Sequence, residues 1–193
     1  MSCISRLDEG RPSPQSQDNL KTTLIEQNYF LACKATVTGN MTIAAPDDAT
    51  LYSRARVKSI EKLSGEVTRL VLQPATPLYY HAGQYVTLRR PDGLARSYSL
   101  ASVPFLDTAL EFHIRHMPDG LMSNWIAKDL KEGDTLDFQG PTGNCFYVSD
   151  DPHKPILLIG TGTGLAPLFG ILRDALFSGH KGDIRLYHGS RLD

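Results

Sequence analysis

Residues 155–164 constrain the fold more than any other stretch. Pro155 precedes four consecutive aliphatic residues, Ile156-Leu157-Leu158-Ile159, and these run into Gly160-Thr161-Gly162-Thr163-Gly164. An unbroken aliphatic run of this length is the pattern of a strand buried on both faces. A helical stretch follows from about Pro167 to Phe177, with Gly179 as its stop signal. Pro167 is tolerated in a first turn, where the N–H has no intrahelical partner. Asp183 to His188 is β-prone again, so the segment predicts strand–helix–strand. Glycines between a buried strand and a helix start let the backbone approach a pyrophosphate, and the helix N-terminus favours its charge. Here, however, the glycines fall at every second position. The acidic ribose partner expected about 20 residues on is also missing; the second strand ends Tyr187-His188-Gly189-Ser190-Arg191. A tight turn between packed elements is the other reading of the loop.

The chain has 193 residues, enough for one domain or two small ones. From Arg54 onward, short β-prone runs recur with Gly and Pro between them. The candidates are Ala55–Ile60, Val67–Gln73, Tyr85–Arg89, Arg96–Ser99, Ala109–Ile114 and Thr135–Gln139. Such spacing predicts an antiparallel barrel or sandwich. One helix fits among them, Leu121 to Leu130, with Leu121, Trp125, Ile126 and Leu130 expected to face inward. Before Arg54 the chain is polar and weakly periodic. Gly39-Asn40 between β-prone residues predicts a turn joining Thr36–Thr38 to Met41–Ile43, and residues 44–52 read as a linker.

Charge and cysteine usage narrow the function. Lys and Arg number 20 against 21 Asp and Glu, a net charge of -1, so the basic footprint of a nucleic-acid binder is absent. No apolar run reaches the roughly 20 residues of a membrane span, and Met1 to Pro14 lacks the apolar centre of a signal peptide. Three cysteines, an odd number, do not make a disulfide framework. A reducing, cytoplasmic compartment is the expectation.

Two further segments carry chemistry. Arg96-Ser97-Tyr98-Ser99 offers a guanidinium that can clamp a phosphate, a ring face that can stack on a flat ligand, and a hydroxyl that can meet the ligand's edge. On a strand, Arg96 and Tyr98 share a face. A solvated Arg beside a packed Tyr is the plainer alternative. His113-Ile114-Arg115 ends a strand, and Gly120-Leu121-Met122-Ser123 opens the Trp125 helix. Backbone N–H groups and the Ser123 hydroxyl there suit a second phosphate, with simple helix capping as the alternative. The other histidines, His81, His116, His153, His180 and His188, lack metal-ligand spacing and are expected in solvent.

This ordered set is Arg-x-Tyr-Ser, Gly-x-x-Ser opening a helix, Gly140-Pro141-Thr142-Gly143, then an aliphatic strand and Gly-Thr-Gly-Thr-Gly-Leu-Ala-Pro. It resembles the ferredoxin–NADP reductase superfamily over about residues 54–191. The resemblance implies a mixed β and α/β fold: a six-stranded antiparallel FAD-binding β-barrel over residues 53–150, followed over 154–193 by the first strand–helix–strand of a nicotinamide-binding α/β domain. By the same resemblance Arg96 contacts the FAD pyrophosphate, Tyr98 stacks on the isoalloxazine and Ser99 sits near its N5. Tyr98 and Ser99 would then act at the reaction centre, and Ser97, His113, Ile114 and Arg115 would bind the cofactor too, with His113 beside the flavin phosphate segment. Gly120, Leu121, Met122 and Ser123 would hold the flavin phosphates. Gly160, Thr161, Gly162, Thr163, Gly164 and Pro167 would receive NAD(P)H.

Residues 1–50 extend the likeness. Cys3, followed by Ser5-Arg6-Leu7 and Gly10, and Cys33, in Tyr29-Phe30-Leu31-Ala32-Cys33, resemble the third and fourth ligands of a plant-type [2Fe-2S] ferredoxin. That implies the C-terminal part of a β-grasp ferredoxin. The other two ligands would lie before Met1, so a cluster is expected in a full-length form and not in this chain; a pair of unconnected thiols is the alternative. Cys145 fits neither pattern and is expected to be a small packed residue. The domain order resembles the reductase components of bacterial ring-hydroxylating oxygenases, and implies a central fragment of a reductase. It would pass electrons from NAD(P)H through FAD to a [2Fe-2S] centre and on to an oxygenase or ferredoxin. A non-catalytic flavin-binding fragment is the alternative.

Overall fold

Turn chemistry and period-2 alternation set the strands of the computed structural model, which describes residues 3–20, 22–45, 51–148 and 150–190. The chain divides into two compact units, Met1–Leu51 and Tyr52–Asp193.

In the first unit, β1 (Ile4–Glu9) is the middle strand of three, paired antiparallel with β2 (Tyr29–Leu31) and β3 (Thr42–Ala44). A short helix, α1 (Thr22–Glu26), precedes β2. Leu7, Tyr29 and Phe30 are buried and form a small core. The turn expected at Gly39-Asn40 does not make a hairpin. Thr36–Thr38 is irregular, and β3 pairs with β1 instead, with a bulge between Leu7 and Glu9. Residues 46–50 of the expected linker lie outside the described residues.

In the second unit six strands form one antiparallel sheet: β4 (Ser53–Lys62), β5 (Val67–Pro74), β6 (Tyr85–Arg89), β7 (Ala95–Ser99), β8 (Leu110–Arg115) and β9 (Thr135–Thr142). Their order is β7-β6-β9-β4-β5-β8. Alternation decides the faces: Leu110, Phe112 and Ile114 of β8 are buried, while Glu111, His113 and Arg115 between them are not. The core joins these to Leu70, Leu72, Val86, Leu88, Leu136 and Phe138.

The sheet is not the closed barrel that was expected. Among the described residues no ladder joins β7 to β8, and the two remain its edges. After Ser99 the chain runs on through buried Leu100 to Val103, and this segment bonds to β8. There the Ala101 N–H donates to the Glu111 carbonyl (2.8 Å), and the Glu111 N–H donates to Ser102 Oγ (3.1 Å). The result is a seam, pinched at Ala101 and unpaired along Arg96–Ser99 and His113–Arg115.

Helix α2 (Leu121–Lys128) packs Met122 and Ile126 into the core. Leu121 is 69% exposed, which corrects the inward placement expected for it. Residues four apart share a helix face, and the inward pair is Met122 and Ile126, one position on from Leu121 and Trp125. Trp125 is half-buried against the core edge, and Leu130 is buried as expected.

β10 (Ile156–Thr161), α3 (Leu165–Phe177) and β11 (Ile184–Gly189) complete the unit, with β10 and β11 parallel and in register from Ile156/Ile184 to Thr161/Gly189. α3 packs on both strands and buries Ala166, Ile171 and Ala175. It also closes on the six-stranded sheet. A side chain at Gly170 would press on the Ala101 carbonyl oxygen, and Arg173 grips Asp107 with two bonds of 2.8 and 2.9 Å. The expectation that β10 is buried on both faces is not met. Leu157 (60%) and Ile159 (67%) are exposed together with Tyr187 (58%), because α3 covers only the other face of this two-stranded sheet.

Candidate functional site

The glycine loop joins β10 to α3, and its glycines do different work. A Cβ at Gly160 would sit 2.7 Å from Leu168 Cδ1, so glycine lets the helix close on the strand. Gly162 has a positive φ of 53° and faces open space, as does Gly164. The backbone of this turn is thus free to approach a ligand. Pro167 sits in the first turn of α3. The His188 Nε2–H donates to the Gly162 carbonyl at 2.9 Å, bracing the turn from β11.

The loop packs against β8, and between them opens a cleft of about 860 Å³. Glu66, His113, Arg115, Thr161, Gly162, Thr163 and His188 are among its lining residues. That size is within the range of small-molecule sites. The fold therefore brings together two motifs that lie more than forty positions apart in sequence. Arg96–Ser99 and Gly120–Ser123 do not line this cleft. Arg96–Ser99 runs along the opposite edge of the seam. Gly120 and Leu121 line a smaller depression of about 430 Å³ with Arg90, Asn124 and Trp125.

On β7, Arg96 is exposed, donates to the Ala95 carbonyl at 2.7 Å and has no carboxylate partner among the described residues. Tyr98 is half-buried against the core, and burial pushes its phenol up to about 12. It stays protonated near neutrality. Ser97 bonds Thr87 across the sheet at 2.9 Å. Ser99 alternates to the face opposite Tyr98, so one ligand reaches both only around the free edge of β7.

On β8, charge partners hold the candidate side chains. Glu111 Oε1 accepts from His113 Nε2 at 2.9 Å, and Glu111 Oε2 from Arg69 at 2.7 Å. The His113 bond first, then Arg69, holds the Glu111 carboxyl down at about 2. Arg115 is paired with Glu66 at 2.9 and 3.2 Å. Ile114 is core. At the start of α2, the Ser123 hydroxyl is buried and committed locally. It accepts the Met117 N–H at 3.2 Å and donates to the Gly120 carbonyl at 3.3 Å. A Cβ at Gly120 would lie 2.4 Å from that hydroxyl, so glycine is needed for the turn. Met122 is core and Leu121 is outside. What remains for an anion at this helix start is backbone N–H.

The sequence alone does not point to Glu66, Arg69, Glu111 or Arg90, which surround these motifs. Arg90 donates to the Leu121 carbonyl at 3.3 Å and lies 5.3 Å from the Trp125 ring. The histidines are also more engaged than expected. His116 bonds Thr68 Oγ1 at 2.7 Å, His81 stacks on Phe146, and buried His180 bonds Tyr147 at 3.0 Å. His153 is exposed. A second cavity, about 840 Å³, is lined by Pro74, Leu78, Tyr80, Phe105, Asp107 and Asp174 among others, and touches none of the motifs.

Cys3 lies just before β1, and Cys33 lies in the turn after β2. The strand register, with Ile4 opposite Leu31, brings their sulfurs to 2.7 Å. Among the described residues no group of three or more His, Cys, Asp or Glu is placed to hold a metal. Among the described residues the two thiols supply two of the four ligands that a [2Fe-2S] centre takes. Cys145 is exposed, not packed. Among the described residues no helix is long and apolar enough to cross a membrane.

Comparison with known proteins agrees with this geometry. The family described as the oxidoreductase FAD-binding domain matches residues 54–147. The naphthalene 1,2-dioxygenase system ferredoxin–NAD(P)(+) reductase component of Pseudomonas putida is 34% identical over 195 residues, covering 98% of this chain and 59% of that protein. The aromatic O-demethylase reductase subunit of an Amycolatopsis strain is 35% identical over 186 residues, 91% of this chain and 55% of that protein. The chain thus spans little more than half the length of these curated relatives. Among solved structures, an Amycolatopsis cytochrome P450 reductase superposes with a TM-score of 0.70 at 33% identity, covering 98% of this chain and 61% of that one. A ferredoxin reductase in carbazole 1,9a-dioxygenase gives 0.69 at 26%, covering 98% and 59%. The open six-stranded sheet, the motifs along its two edges and these matches together make residues 54–147 an FAD-binding domain of the ferredoxin reductase superfamily.

Proposed function

We propose that this chain is the flavin-binding part of an NAD(P)H-dependent electron-transfer reductase, with FAD lying along the β7–β8 seam and NAD(P)H meeting it from the glycine loop. The observation that carries this reading is the seam itself. Both motif strands are sheet edges, and the glycine loop packs against one of them. Bound FAD supplies the conversion between a two-electron donor and one-electron acceptors.

The residues divide the work of holding it. Arg96, with no carboxylate partner among the described residues, gives a guanidinium to the pyrophosphate. Tyr98 lays its ring against the isoalloxazine, and Ser99 offers a hydroxyl near N5 around the strand edge. The N–H groups of residues 121–123 face a phosphate, with Arg90, itself paired with Asp92, beside them. Glu111 holds His113 through Nε2 and so fixes the imidazole on the rim of the cleft. Gly160 to Pro167 receives the nicotinamide dinucleotide. In domain terms, 53–150 is the flavin domain, 154–193 belongs to the nicotinamide domain, and 1–50 is a ferredoxin-like segment.

The relatives support the larger scheme. One solved neighbour, a phthalate dioxygenase reductase, is described as a modular structure for electron transfer from pyridine nucleotides to [2Fe-2S]. On that analogy the electron acceptor is an oxygenase or a ferredoxin, and the compartment is the cytoplasm. The test is direct. The purified chain is incubated with FAD, desalted and mixed rapidly with NADH or NADPH. Retained flavin bands that bleach on mixing are the expected result. Retained bands that neither nucleotide bleaches would leave only the flavin-binding role. No retained flavin would overturn both.

A further inference from the structure

The cavity of about 840 Å³ that touches none of the motifs has a size suited to a small molecule. Its lining comes from within residues 73–84 and 104–110, with Asp174 added by α3. Pro74, Pro77 and Pro104 fix the backbone at three points of that lining. Each of the two segments also contributes an aromatic ring that the core does not use. Tyr79 is 86% exposed and Phe105 is 89% exposed. Phe105 has a φ of 69°, a region that bulky side chains rarely adopt. The turn around it is held from several sides. The Val103 N–H donates to Asp107 Oδ2 at 2.8 Å, the Asp107 N–H donates to the Val103 carbonyl at 2.9 Å, and Arg173 fixes the Asp107 carboxylate. Strain retained by such a frame is a feature of ligand clamps.

The polar groups of the cavity sort into committed and uncommitted. Asp107 is paired with Arg173, and the Tyr80 hydroxyl donates to Ser102 Oγ at 2.8 Å. Asp174 differs. It is half-buried, and burial pushes its carboxyl up, offset in part by nearby His81 and by the Ser178 hydroxyl. Among the described residues it forms no ion pair. A carboxylate without a cation, in a cavity rimmed by two uncovered rings, is complementary to a positive charge on an apolar body. The carboxylate takes the charge through a charge-assisted bond, and the ring faces attract it as well. We propose that this cavity binds a small organic cation, a primary ammonium on an aromatic or aliphatic body, with Asp174 as counter-ion and Tyr79 and Phe105 as walls. No bond is made or broken, and the inference does not depend on flavin binding.

An NMR titration of the isotope-labelled full chain with phenethylammonium chloride tests it, and phenethyl alcohol serves as the uncharged probe of the same shape. The expected result is a set of amide shifts centred on the cavity-lining segments and the C-terminal half of α3, half-saturated at or below about 1 mM ammonium. The alcohol should bind about tenfold or more weakly. Asp174→Asn should weaken the ammonium by about tenfold or more and leave the alcohol unchanged. Phe105→Ala, at an exposed position, should weaken the ammonium about two- to fivefold. Equal affinity for the two probes, equal affinity of the parent chain and Asp174→Asn, or no cavity shifts at about 10 mM ammonium would each overturn the proposal. Cavity shifts that follow protein concentration instead of probe would place a second copy of the chain there and overturn it too. The comparison of the two probes uses the unaltered chain, so it stands whether or not a variant folds.

Discussion

At the residue scale, what distinguishes the candidate site is which charges are satisfied. Arg69, Arg115 and Arg173 all have carboxylates, while Arg96 has none among the described residues. A charge-assisted bond to a ligand contributes about 1.5–3 kcal/mol. Arg96→Ala should therefore weaken FAD binding by about tenfold to a hundredfold and leave the melting temperature of the flavin-free protein unchanged. A fluorescence titration giving equal affinity for both proteins would refute the assignment. Glu111 makes a pH prediction. Its carboxyl sits at about 2 in the fold against an ordinary 4.5, a depressed value caused by His113 and Arg69. A depressed carboxyl adds stability that is fully present above its unfolded value and disappears as pH falls from 4.5 towards 2. Glu111→Gln should flatten that part of the acid-unfolding curve. Thermal melts over this range with the same slope for both proteins would count against the network.

At the scale of elements, close backbone approaches decide where strands can start. Gly182 leads into β11, donates to the Pro152 carbonyl at 2.9 Å, and lies where a Cβ would be 2.5 Å from the His153 carbonyl oxygen. Every near neighbour there is backbone, which cannot move aside alone. Gly182→Ala should cost about 1–3 kcal/mol, seen as a lower melting temperature of the second unit. An unchanged melt would mean that the β10–β11 start is looser than drawn. Most strand positions follow from alternation and turn residues, and the strands lie close to where the sequence puts them. Helix α2 shows the limit. Leu121 and Met122 are equally apolar, and only the direction from which the sheet approaches selects Met122 and Ile126 as the inward pair.

At the scale of the molecule, the six-stranded sheet has a full core, whereas the β10–β11 sheet has one bare face. Leu157, Ile159 and Tyr187 lie there side by side, with Ile159 opposite Tyr187 in the register. An apolar patch of this kind promotes association. Ile159→Lys should lower the binding of a hydrophobic dye and reduce concentration-dependent association. As a surface change it should alter stability by no more than about 0.5 kcal/mol. Dye binding equal to that of the parent chain would show that the face is covered in solution.

Local chemistry was legible from the residues alone. Period-2 alternation marks the strands, and glycines mark the turns that admit no Cβ. The spacing of Arg96, Tyr98, Gly120 and Gly160 to Gly164 marks the candidate motifs, because those requirements act over a few bonds. Closure of the sheet, the partners of each charge and the choice of solvent-facing residues were not legible. Arg69 and Glu111 are 42 positions apart, and Arg115 and Glu66 are 49 apart. The sequence therefore determined the strands and the motifs. Only the tertiary structure decided that Arg96–Ser99 and His113–Arg115 lie on the two free edges of one seam, because which edges stay unpaired depends on how all six strands pack around a shared core.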